Sequence, residues 1–180
     1  MRLIIFLSIS CLLSCSVEQN NKSVKKYFDT KSYFEQEIKS LSAKGFWIEK
    51  EMTFNNKTEK IKTDSVNWEK EMNPFLLIDL CKPSNIGRYS LDSTFINEKR
   101  IKLTYRTEDT KADIQLVEIE YNEKQTVHSI HILLRDKNTI YESQTSLVYF
   151  TDSAFSIIGK QHIKYTEGIT YKVNVSLFKN

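Results

Sequence analysis

Three histidines, two closely spaced glutamates and one unclaimed cysteine are the residues of this 180-residue chain whose types and spacing could do chemistry. His128 and His131 form H-x-x-H, a spacing that aims both imidazoles at one ion when it falls on a helix. Their neighbours Thr126, Val127, Ile130 and Ile132 are strand formers, however, and three residues along a strand send the rings to opposite faces. His162 is the one further histidine, so a zinc site would have to be completed by carboxylates that no pattern supplies. All three read as surface or core histidines. Glu118 and Glu120 share a strand face at about 7 Å. A glycosidase acid and base approach a sugar from different elements, whereas carboxylates alternating with Val117, Ile119 and Tyr121 describe a solvated sheet face. Cys81 closes an apolar run before Lys82-Pro83 and reads as a half-buried packing residue. Trp47, at a polar-face position of a strand, is a candidate contact residue unless a neighbouring element covers it.

The rest of the sequence is equally bare of catalytic motifs. G-x-S-x-G, Walker, dinucleotide, H-E-x-x-H and EF-hand patterns do not occur, and four glycines leave little room for phosphate-cradling loops. Lys plus Arg exceeds Asp plus Glu by 26 to 23, too small a surplus for a nucleic-acid binder. The reading is a non-enzymatic chain with no catalytic, cofactor-binding or metal site.

Among the elements that would position any site, Asp29 or Thr30 caps a helix over 30–44 that Gly45 ends, with Phe34, Ile38 and Leu41 on one face. At Phe46 the apolar period changes to two, and Asn55-Asn56 joins strands 46–54 and 58–63 as a hairpin. Asp64-Ser65 is expected to cap a second helix carrying Trp68, Met72, Phe75 and Leu76, with Pro74 kinking it or dividing it in two. Seven strand-like runs follow, over 89–95, 100–106, 114–121, 126–135, 139–150, 155–165 and 169–178. Their short polar breaks permit hairpins and exclude parallel crossovers. The fold class is α+β: an N-terminal helix, a β-hairpin, a second kinked helix, then a mainly antiparallel β meander forming a curved sheet or half-barrel. Its apolar face must be covered by the helices, by the sheet curling on itself, or by a ligand.

The first residues are a targeting segment. Arg2 is the positive end, and residues 3–13 form an apolar run too short to span a bilayer, which needs about 20 residues. The run ends in Leu12-Leu13-Ser14-Cys15, which resembles the lipobox of bacterial lipoproteins. That resemblance implies cleavage before Cys15, acylation of its thiol, and attachment to a membrane without a spanning helix, most simply the outer membrane. The organisation expected is signal peptide over 1–14, lipid anchor and polar tether over 15–26, and one α+β domain over 27–180. Cys11 leaves with the signal, so Cys81 would be the lone thiol of the mature domain, without an internal disulfide.

Asp64-Ser65-Val66, Asp92-Ser93-Thr94 and Asp152-Ser153-Ala154 match D-[ST]-[AILVMT], which resembles the O-glycosylation motif of exported Bacteroidetes proteins and would make Ser65, Ser93 and Ser153 acceptors. Asp-Ser also favours turns and caps, so both readings stand. The stretches Tyr33-Phe34-Glu35-Gln36-Glu37-Ile38, Trp68-Glu69-Lys70-Glu71-Met72 and Tyr149-Phe150-Thr151-Asp152-Ser153 resemble the small lipoproteins common in that phylum. The resemblance implies localisation and architecture, and no chemistry. Two functions follow as expectations. The first is a cell-envelope binding or scaffold module for a protein or glycan partner. The second is a carrier of a hydrophobic ligand such as an acyl chain, by analogy with the open barrel of lipoprotein-sorting proteins.

Overall fold

The computed structural model describes residues 27–179; the expected signal segment, Cys15 and the tether lie outside the described residues. Helix α1 spans Thr30–Lys44. Asp29 caps it by accepting from the Ser32 N–H, and Gly45 ends it in the left-handed region at φ 65°. Strands β1 (Trp47–Phe54) and β2 (Lys57–Thr63) form the expected hairpin. Asn55 and Asn56 both take positive φ, 42° and 71°, the geometry of a two-residue turn that matches strand twist.

Pro74 divides the second helical stretch as its chemistry demands, into α2 (Trp68–Glu71) and α3 (Asn73–Leu76). The cap differs from expectation. Asn67, not Asp64-Ser65, accepts from the Lys70 N–H, and the Ser65 N–H instead turns back to Thr63 Oγ1 at 3.1 Å. A capping side chain must stand one residue before the first helical turn, and Asp64 is too far upstream to reach it.

After a single 3-10 turn at Pro83–Asn85 come β3 (Ser90–Phe95), β4 (Ile101–Arg106), β5 (Ile114–Tyr121), β6 (Val127–Lys137), β7 (Tyr141–Phe150), β8 (Ala154–Ile163) and β9 (Ile169–Phe178). All nine strands join one open antiparallel sheet in the order β2-β1-β9-β8-β7-β6-β5-β4-β3. The meander therefore does not stand alone: β1 pairs with β9 from Trp47↔Phe178 to Phe54↔Tyr171, adding the early hairpin to the late end of the sheet.

Because side chains alternate across each strand, the register defines two faces. One carries Val117, Ile119, Ile130, Ile132, Leu147, Tyr149, Phe155 and Val175, all buried. The helices lie on this face. Phe34 packs on Phe75 and Tyr149 with ring centroids 5.0 and 5.6 Å apart, and Phe75 meets Phe155 edge-on at 5.9 Å. Polar anchors fix the helices in place. The Tyr149 hydroxyl donates to Glu37, Lys50 bridges to Glu71 at 2.7 Å, and Lys44 bridges to Asp152 at 2.6 Å. The buried Thr30 hydroxyl donates to the Ile78 carbonyl and accepts from the Leu80 N–H, tying the irregular 78–80 stretch to α1. Among the described residues, no helix lies on the other face.

Candidate functional site

The residues singled out for chemistry do not converge. On β6, His131 contacts Glu118 at 3.4 Å and Ser146 at 3.1 Å, whereas His128 is exposed and lies edge-on to Phe150. His162 is exposed on β8. Among the described residues no group of three His, Cys, Asp or Glu is placed to hold a metal ion. Glu118 and Glu120 do share the helix-free face, each with its own cation: Lys102 at 3.0 Å and Arg100 at 3.2 Å. Partial burial pushes the Glu118 carboxyl up, but hydrogen bonds from Lys102 and His131 outweigh it and hold the group below the usual carboxylate range. A carboxyl kept ionised between two donors is a structural acceptor, poorly suited to giving up a proton.

Trp47 is half-buried. It stacks on Phe178 at 4.3 Å, and Lys62 lies over its ring. Cys81 is half-buried and directs its Sγ at the Tyr27 and Phe28 carbonyls. Ser65, Ser93 and Ser153 are all exposed. Ser65 lies in the loop before α2 and Ser153 in the β7–β8 turn, while Ser93 sits in the middle of the edge strand β3 rather than at an element's end.

A different constellation emerges on the helix-free face, where a trough of about 620 Å³ crosses the sheet. The register builds it in two ranks. One runs Leu133–Ser146–Ile158–Lys172–Thr53 across β6, β7, β8, β9 and β1; the next runs Arg135–Gln144–Lys160–Thr170. The first rank supplies two aliphatic side chains to the floor, Leu133 and Ile158, and Ile158 is 45% exposed despite its apolar side chain. The second supplies a cationic margin. Arg135 and Lys160 stand two strands apart, about 10 Å by ladder spacing. Among the described residues that line the trough there is no carboxylate. Arg135 donates from Nη2 to Glu142 at 2.8 Å, beyond the trough, while its Nε–H is buried without a partner among the described residues. On the reverse side the Tyr171 ring lies against Gly159, so close that an added Cβ would come within 2.1 Å of Cζ, and its hydroxyl meets Thr145 Oγ1 at 3.0 Å. That close approach stiffens the floor from behind.

No linear motif announces this site, because its residues come from six strands. The signal in the sequence was the pair of apolar residues out of phase with their strands, Leu133 beside Ile132 and Ile158 beside Ile157. Each places a hydrophobic side chain on a face that is otherwise polar.

Fold and site together define an α+β platform: an open nine-stranded antiparallel sheet, closed by helices on one face and grooved on the other. No protein-family model, curated protein or solved structure matches the chain.

Proposed function

We propose that this chain is a cell-envelope lipoprotein, held at the outer membrane through acylated Cys15, whose β platform is a non-enzymatic binding or scaffold module. The observation that carries the binding reading is the division of labour between the faces. The helices fill one face with large rings down to Phe34 and Phe75, both fully buried, leaving the other to present a preformed concave surface. A carrier that encloses its ligand between helices and sheet would need an apolar cavity of at least ~300 Å³ there. Phe34, Leu41, Met72, Phe75, Tyr149 and Phe155 instead pack into one continuous cluster in that space. The carrier reading keeps one supporting observation, the aliphatic floor of the trough, which lies on the opposite face from the one an engulfing carrier would use.

The anchor is tested by fractionation. Wild-type protein in a lipoprotein-processing host is expected in the detergent-soluble membrane fraction with the mass of residues 15–180 plus acyl chains. Cys15→Ala is expected to be uncleaved or released. Normal membrane partition of that variant would end the lipoprotein reading. In protein purified from its own host, hexose-scale increments in intact mass would support glycans on Ser65, Ser93 and Ser153, and their absence would leave these as loop, strand and turn residues.

A further inference from the structure

We infer that the trough on the helix-free face binds a single-chain anionic amphiphile, a long-chain carboxylate, with its head group at Arg135, Gln144 and Lys160 and its chain along Leu133, Ser146 and Ile158. The inference deepens the binding-module reading by naming the ligand class, and it rests on that reading. Four observations carry it. The volume, about 620 Å³, falls inside the range of small-molecule sites. The charge of the lining has one sign: Arg135, Lys160 and Lys172 face it, with no carboxylate among the described lining residues. Glu142 engages Arg135 from outside, and Glu51, whose carboxyl feels Lys172, is already paired with Lys60 at 2.8 Å.

The donors at the margin are also incompletely used. Arg135 Nε–H is buried without an acceptor among the described residues, and Lys160 has no ion-pair partner among them. An unmet buried donor costs free energy that an incoming carboxylate beside the guanidinium would offset. Finally, the floor is aliphatic. Sugar rings are recognised by stacking on aromatic faces, and the ring nearest the floor, Tyr171, lies against Gly159 on the reverse side of the sheet. Leu133 and Ile158 match methylenes instead. Arg135 and Lys160 in one rank, beside Leu133 and Ile158 in the other, fit one head and one chain.

The test uses the full chain carrying Cys15→Ala, so that no attached acyl chain competes, titrated with palmitate below its micellar concentration and followed by native mass spectrometry and calorimetry. A one-to-one complex is expected, with hexadecanol binding at least tenfold more weakly because it lacks the charge. Lys160→Glu and Ile158→Glu should each weaken palmitate binding at least tenfold, while Lys31→Glu, exposed on α1, leaves it unchanged. Circular dichroism checks the fold; should Ile158→Glu unfold, Lys160→Glu decides alone. Absence of a palmitate complex, or equal affinity in folded Lys160→Glu, overturns the inference. Membrane fractionation of the Cys15 pair is independent of these titrations, so failure of the ligand and failure of the anchor are told apart.

Discussion

The two faces of the sheet are made from the same strands, residue by alternate residue, yet they are held by different physics. On the helix-covered face Val117, Ile119, Ile130, Ile132 and Leu147 are fully buried, and stability there comes from removing apolar surface from water and from close packing. The helix-free face is a lattice of exchangeable charges. Lys102 meets Glu118, Arg100 meets Glu120, Arg135 and Lys137 meet Glu142, and Lys60 meets Glu51, all at least partly in solvent. Such pairs contribute little individually. The lesson is that the first face has almost no freedom to change, while the second can be rewritten around a ligand at small cost to the fold.

The sharpest way to break this contrast is Phe34→Ala. It removes a fully buried ring that touches Phe75 and Tyr149, and should destabilise by about 3–5 kcal/mol in urea unfolding. A loss under 1 kcal/mol would mean the helix does not close this face.

Thr30→Val keeps the shape but strips the hydroxyl from between the Ile78 carbonyl and the Leu80 N–H. About 1–3 kcal/mol should be lost, because two buried groups are left unmet. Mutational neutrality would place water at that bridge.

Alkaline pH should act mainly through the buried phenols of the covered face. Burial, and then the hydrogen bond donated to Glu37, holds the Tyr149 phenol far above its usual range; burial lifts Tyr89 to about 12. In the unfolded chain both ionise near 10. Above that pH the unfolded state releases protons that the folded state keeps, so stability falls as pH rises, by up to about 1.4 kcal/mol per pH unit for each phenol. The Tyr89 contribution to this slope ends near 12, and below 10 stability is unaffected by either. Unfolding titrations should show the slope, and Tyr149→Phe should remove its own share of it.

The smallest effect belongs to the open face. Glu118→Gln, which weakens the contacts to Lys102 and His131, should change stability by less than about 1 kcal/mol. A larger loss would show that the charge lattice is a structural element in its own right.

Much of this was legible in the sequence, and the limits are instructive. Period-two alternation located the strands and chose their faces, and Asp29 and Gly45 bracketed α1, because these signals are local. Alternation says which way a side chain points and nothing about which strand lies alongside. The β1–β9 ladder was therefore invisible: it joins residues separated by the whole meander. The second cap was misassigned because Asp64, Ser65 and Asn67 are all competent acceptors, and only the position of the first turn chooses among them. The trough needed the register before Leu133, Ile158, Arg135 and Lys160 could be seen as neighbours.

That same β1–β9 ladder sets a timetable. A ribosome delivers the β1–β2 hairpin early and its docking strand last among the nine, and the ring that α1 must cover, Tyr149, also arrives late. Closing so long a loop is slow and gains nothing until the final contacts form. Every shorter nascent chain lacks the strand that fastens its own beginning. Completion of the sheet is thereby deferred until Ile169–Phe178 is free to pair.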